Sequence, residues 1–256
     1  MKTALAIAAH PDDIELMMAG TLLLLGQAGY ELHIMNIANG SCGSLTEDAE
    51  TIAARRWEEA QQAAKTLGAT IHPPIANDIE VFYNDTLLRK VTAVVREVAP
   101  TILLTQSPQD YMEDHTITTR LAITAAFTRG MPNYSTEPPI EPVTDDITVY
   151  HALPWGLKGP LGETIRASQY VNIKSTLAQK RDALACHISQ KEWLDKTQGL
   201  DSYLTTMEEM SREVGRASKR FEFAEGWRKH LHLGFCSKNA DPLSDALDNQ
   251  VYSPGS

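Results

Sequence analysis

Residues 3–26 read TALAIAAHPDDIELMMAGTLLLLG, and this stretch decides the fold. The apolar run at 3–9 has the length of a strand, and apolar positions recur with helical spacing over 15–28. Between them stand His10, Pro11, Asp12 and Asp13. A strand that runs through polar residues directly into a helix opens a βα unit. In an open α/β sheet, ligands bind outside the carboxyl ends of the strands, where strand order reverses. His10 stands at such an end.

Working outward, LHIMNIA (32–38) reads as a second strand and EDAETIAARRWEEAQQAAKTLG (47–68) as a strong helix. Thr46 is its candidate N-cap, acids fill its first turn and Gly68 ends it. A third strand near 70–75 is interrupted by Pro73 and Pro74. Residues 86–98 form an amphipathic helix that Pro100 breaks, TILLT (101–105) suits a strand buried on both faces, and ITVYHA (147–152) supplies another. Alternation of strands and helices predicts a parallel, doubly wound α/β sheet with helices on both faces. Beyond residue 174 the chain reads as mainly helical, over 174–187, 190–197 and 203–230.

GMPNYSTEPPIEPVTDD (130–146) is irregular and is expected to form an active-site flap. One domain is expected over 1–236. The polar segment 237–256 is expected to be a flexible tail, with packing onto a neighbouring subunit of a homo-oligomer left open.

Composition narrows the function classes. The chain has 256 residues, 33 acidic against 23 basic, for a net charge of −10. It has no basic run with interleaved aromatics, so a phosphate-tracking nucleic-acid groove is not expected. No segment approaches the roughly 18 apolar residues of a membrane span. The apolar run before His10 is shorter than a secretory core of roughly 7 to 15 residues. Cys42, Cys186 and Cys236 are odd in number and far apart, which fits reduced thiols in a cytoplasm.

The segment after the 101–105 strand, QSPQDYMEDHTITTRL, also leaves a carboxyl end, and in the order 3-2-1-4 strands 1 and 4 are neighbours. Two polar clusters distant in sequence then face each other. His10 and Asp13 from one loop with His115 from the other make two imidazoles and a carboxylate, a catalytic zinc pattern that leaves a position for water. Asp12, free of the metal, is placed to act as general base. Spacing alone leaves two other readings open. The aspartates could merely cap the following helix, or the set could be the two-His, one-carboxylate site of a non-haem iron enzyme. No G-x-G-x-x-G follows the first strand, which argues against a dinucleotide dehydrogenase.

AAHPDDIELMMAGTL resembles the A-H-P-D-D motif of the LmbE-like, or PIG-L, N-acetylglucosaminyl deacetylases. RRWEEAQQAAKTLG resembles that family's R-x-x-E-A helix, DYMEDH its second metal motif, CHISQ its A-H-x-S-Q and FAEGWRKH its late Y-A-E-x-F-R. The resemblance implies a Rossmann-like fold and a hydrolase that uses Zn2+ or another divalent ion to remove an N-acetyl group from a glucosamine-containing small molecule. It implies His10, Asp13 and His115 as metal ligands and Asp12 as base. Asp114 would orient a catalytic or ligand group while also serving as helix N-cap. Arg56, Asp110 and Tyr111 are candidate substrate contacts, although the Arg/Glu-rich helix carrying Arg56 and Glu59 reads equally as a solvated, internally paired face.

Two departures stand out. Many members of that family carry histidine three residues before the last ligand, where this chain has Met112, which neither donates a proton nor stabilises an oxyanion. His187, on the helix expected from residue 174, is the first candidate to replace it, followed by Tyr111 and His151. The loop NGSCGS (39–44) lacks the acid that often follows its glycine in relatives. Hydrolysis of a related thiol-conjugate amide, and sugar binding with weak catalysis, are the alternative functions.

Overall fold

The computed structural model describes residues 2–198 and 203–254. Four parallel strands carry the first half: β1 (Thr3–Ala8), β2 (Glu31–Asn36), β3 (Thr70–His72) and β4 (Ile102–Thr105), with β5 (Thr148–Ala152) parallel to β4. The remaining strands are β6 (Gln169–Asn172), β7 (Ala224–Lys229) and β8 (Val251–Tyr252), all joined by antiparallel pairing. The sheet order is β3-β2-β1-β4-β5-β7-β6-β8, so β1 and β4 are neighbours at the expected switch point. Residues 4–8 of β1 are completely buried, because helices cover both faces of a parallel sheet.

The described helices are α1 (Asp13–Met17), α2 (Ala19–Gln27), α3 (Ala49–Leu67), α4 (Asp85–Val98), α5 (Glu113–Thr128), α6 (Leu177–Leu184), α7 (Ile188–Gln198), α8 (Tyr203–Ser218) and α9 (Pro242–Leu247). One apolar cluster packs α2, α3 and α6 against the face of β1 that carries Ala4, Ala6 and Ala8. A second packs α4 and α5 against the face carrying Leu5 and Ile7. No described helix is long and apolar enough to cross a membrane.

Several expectations are corrected. The helix read over 15–28 is two helices broken at Met18. The N-cap of α3 is Asp48, whose carboxylate accepts from the Thr51 N–H, rather than Thr46. Residues 203–230 are not one helix: α8 ends at Ser218 and AEGWRK becomes β7, inside the sheet. A polar strand is tolerated there because buried Glu225 accepts from the Gly20 and Thr21 N–H groups of α2 and from Lys180 Nζ at 2.6 Å. The segment from residue 237, read as a flexible tail, contributes α9 and β8, and Asp241 accepts from Tyr150 Oη and Gln169 Nε2.

The proline-rich stretch 130–146 is irregular, but it is no flap. Arg96 and Arg129 donate to its carbonyls at 131, 134, 140 and 145. These bonds fasten it beside the C-terminal end of α5, at the sheet end opposite His10.

Candidate active site

The exits of β1 and β4 are tied together before any functional group is placed. Gln106 Oε1 accepts from the Ala9 N–H at 2.8 Å, and Asn36 Nδ2 donates to the His10 carbonyl at 2.6 Å. The backbone then turns sharply: Asp12 lies at φ 117°, in the left-handed region that side-chain-bearing residues rarely adopt. Such strain persists where surrounding contacts hold it, and here the contacts are on Asp12 itself. Its Oδ2 accepts from Tyr203 Oη at 2.6 Å, and both groups are buried.

His10, Asp13 and His115 converge, each offering one ligand atom within 4.8 Å of the others. Asp13 Oδ2 lies 3.6 Å from His10 Nδ1 and 3.5 Å from His115 Nε2. The opposite ring nitrogens face carboxylates: His10 Nε2 is 3.1 Å from Asp114 Oδ2, and His115 Nδ1 is 3.1 Å from Asp110 Oδ1. A carboxylate behind each imidazole fixes ring orientation and tautomer and raises ligand basicity, the usual arrangement behind metal-ligating histidines. Two nitrogens and one oxygen, each backed in this way, fit a divalent cation with room for water.

Electrostatics agree with a cation site. Burial opposes the charge on His10, yet hydrogen bonds to Asp114 and Asp13 push its pKa up to about 10. Burial likewise opposes charge on Asp13, but His115 and His10 together hold its carboxyl well below the usual range. Asp12 goes the other way. Burial, then repulsion from Asp13, pushes it up to about 6 against the pull of Arg56, His187 and the Tyr203 hydroxyl. A carboxylate poised near neutrality and off the metal set is suited to general-base work.

The cavity over this centre holds about 230 Å3. Arg56, Asp110, Tyr111 and Met112 line it, as do Asp12 and the three candidate ligands. Arg56 is only 2% exposed, with Nη2 donating to the Pro11 carbonyl at 2.5 Å, so the solvated-face alternative is removed. Glu59 is also buried and stays within the fold, accepting from both the N–H and the hydroxyl of Ser189. Asp110 chiefly serves His115 and also accepts from the Met112 N–H at 3.1 Å. Tyr111 is 58% exposed at the mouth, edge-on to His115. Burial and the nearby aspartates push its phenol up to about 12, which keeps it a proton donor.

Asp114 is not an N-cap. Helix α5 begins at Glu113 after Met112, and Asp114 reaches His10 and the Ile79 N–H instead.

His187 does not lie on a helix from residue 174. It sits between α6 and α7, 1% exposed, with Nε2 3.4 Å from Glu15 Oε2, and it is not part of the cavity wall. His151 is also off the wall, held between the Gln106 carbonyl and His230. Of the three candidates to replace a histidine at 112, only Tyr111 faces the cavity.

Sequence reasoning missed Asp78, Tyr203, Gln190 and two tryptophans. Asp78 accepts from the Gly40 and Cys42 N–H groups and lies 4.0 Å from His10 Nε2. It brings to the 39–44 loop the carboxylate which that loop's own sequence lacks. Gly40, at φ 79°, is required there, since a Cβ would fall 2.4 Å from Arg56 Cδ. Trp155, Trp193, Leu16, Met17 and Leu194 make the apolar wall.

Comparison with known proteins places this geometry. Residues 5–126 match the family described as PIG-L, GlcNAc-PI de-N-acetylase. Diacetylchitobiose deacetylase of Thermococcus kodakarensis is 32% identical over 143 residues, covering 53% of this chain and 53% of the relative, so the match spans about half of that protein's length. A 4-oxalmesaconate hydratase of Pseudomonas putida is 27% identical over 199 residues, 74% of each chain. The solved 4-carboxy-2-hydroxymuconate hydratase of the same species superposes with a TM-score of 0.75 at 23% identity, over 90% of this chain and 96% of that one, and shares the fold. Every candidate metal ligand and Asp12 fall inside the matched segment, and over residues 5–126 the chain carries the PIG-L, or LmbE-like, family domain.

Proposed function

We propose that the protein is a metal-dependent N-deacetylase that hydrolyses the N-acetyl amide of a glucosamine-containing small molecule, giving acetate and a free amine. The observation that carries this reading is the pairing of a carboxylate-backed His10/Asp13/His115 set with a buried, near-neutral Asp12 in one cavity. Zinc or a similar ion held by those three residues supplies polarisation of the acyl oxygen and a bound-water pKa near about 7.

The chain's own groups do the rest. Asp12 takes the proton from water as its oxygen adds to the acyl carbon, and returns it to the nitrogen as the C–N bond breaks. Tyr203 holds one Asp12 oxygen, leaving the other for this transfer. Tyr111 supplies a phenolic donor at the mouth, and Arg56 a buried guanidinium on the wall. With its three cysteines free, the enzyme is assigned to a reducing, cytoplasmic compartment.

Similarity to the Pseudomonas putida hydratase favours one second reading, hydration of a carboxylate substrate. The cavity wall counts against it: Asp12, Asp13, Asp78 and Asp110 face a single guanidinium, that of Arg56, and like charges across a binding surface are costly.

An amine-release screen of zinc-loaded protein against N-acetylglucosamine, its glycosides and its inositol conjugates tests the assignment. Amine and acetate released in equal amounts support it. No release from any of these, with hydration of an unsaturated carboxylate, would replace it with the second reading.

A further inference from the structure

A second cavity of about 120 Å3 adjoins the first, and Gly43 and Trp193 line both. Its walls come from the 43–47 loop, α3 and α7, and include Ser44, Thr46, Glu47, Arg55, Glu192 and Lys196. Arg55 lies at the centre of an ionic network, 3.2 Å from Glu47, 3.5 Å from Glu59 and 3.5 Å from Glu192. Its guanidinium is committed to three carboxylates. Among the wall side chains two cations balance two anions, so the cavity presents hydroxyls and carboxylate edges without a net positive field. Such a surface suits uncharged hydroxyl groups and offers little to phosphate or carboxylate.

The junction between the cavities carries two unmet polar atoms. Arg56 Nε, a donor, and Gln190 Oε1, an acceptor, are buried without hydrogen-bond partners. Both side chains border Gly43: a Cβ there would fall 2.8 Å from Arg56 Nη1 and 3.5 Å from Gln190 Oε1. Absence of a side chain at 43 keeps the passage open. A buried donor and acceptor side by side are costly unless something meets both, and a hydroxyl does so because it both donates and accepts. A carboxylate or phosphate dianion, lacking a donor, leaves Gln190 Oε1 unmet. Trp193, on the border, offers a flat apolar face of the kind that packs against a ring.

We propose that the two cavities are one elongated groove. The N-acetylated ring lies over the metal-binding residues, its hydroxyl edge meets Arg56 and Gln190, and a second, uncharged polyhydroxylated ring crosses Trp193 into the Arg55/Glu192 cavity. The proposal rests on the deacetylase reading and deepens it, since it selects neutral two-ring substrates and rejects those whose second unit is an anionic phosphate.

Calorimetric titration of the full-length, zinc-loaded chain carrying Asp12→Asn, which keeps substrate intact, tests it. The probes are N-acetylglucosamine, its 1-phosphate, diacetylchitobiose (second ring a sugar) and the N-acetylglucosaminyl inositol (second ring a cyclitol). At least one two-ring probe binds about tenfold or more tighter than the monosaccharide, about 1.4 kcal/mol, and the 1-phosphate binds no better than the monosaccharide. Thr46→Phe and Glu192→Leu, each added separately, shrink that advantage to within about twofold and leave monosaccharide affinity unchanged.

Equal affinity for one and two rings, tightest binding of the phosphate, or an advantage that survives both substitutions overturns the groove. Amine release by the wild-type chain, measured in parallel, separates the two claims. Two-ring binding without release removes the deacetylase reading and keeps the groove. Release from the monosaccharide with no two-ring advantage does the reverse.

Discussion

The halves of the sheet on either side of β4 solve the same burial problem differently. On the β3-β2-β1-β4 side, strands are parallel, enclosed by helices and almost wholly apolar, and their carboxyl ends present His10, Asp13 and His115. On the β5-β7-β6-β8 side the added strands are antiparallel, and β7 buries Glu225 against Lys180 and two backbone N–H groups. The first half supplies the reacting groups. The second supplies what fixes and surrounds them: Tyr203 on Asp12, Gln190 and Trp193 on the cavity wall, Ser189 on Glu59. A site assembled this way fails in two distinguishable modes, loss of chemistry from the first half and loss of positioning from the second.

The largest effect is expected from His115→Ala. Two remaining ligands hold a cation poorly, so metal content measured by mass spectrometry falls to a small fraction of one ion per chain and activity falls with it. Full metal retention would remove His115 from the ligand set. Asp12→Asn comes next: metal stays, while kcat drops by about 10² to 10⁴-fold, the usual worth of a general base. Unchanged turnover would move that role to another group.

From the other half, Lys180→Met leaves the Glu225 carboxylate buried without its ammonium. Breaking such a pair costs about 3–5 kcal/mol, which denaturant unfolding would show; a loss near zero would mean that the two N–H groups of α2 suffice. The smallest effect is expected from Tyr203→Phe. A hydrogen bond to a charged group is worth about 1.5–3 kcal/mol, so kcat falls roughly 10- to 100-fold with metal content and KM nearly unchanged. A change in KM alone would make Tyr203 a substrate contact.

Legibility in the sequence follows the same division. Residues 3–9 and 101–105 read as strands because strands buried on both faces are continuous apolar runs, and that placed His10 and His115 across one switch point. AEGWRK read as helix because its buried glutamate and glycine mask strand alternation, and only the distant Lys180 and α2 make Glu225 tolerable there. Asp78 carries no local signal beyond an acid in a loop, since its partners, Gly40 and Cys42, lie more than thirty residues away. CHISQ pointed at the right segment but at the wrong side chain: His187 turns to Glu15, while Ser189 and Gln190 face Glu59 and the cavity. Tyr203 looks like an ordinary apolar position of α8 until the fold brings Asp12 beneath it.

The central claim is that the two carboxylate-backed histidines and Asp13 hold a catalytic cation. Anomalous diffraction at the zinc edge, from crystals of the full chain grown with zinc, tests it most directly. The account predicts one strong peak within coordination distance of His10 Nδ1, Asp13 and His115 Nε2, with Asp114 and Asp110 still on the opposite ring nitrogens and Asp12 outside the coordination sphere. A peak elsewhere with none at this position, or Asp12 bound to the ion in place of Asp13, would contradict it.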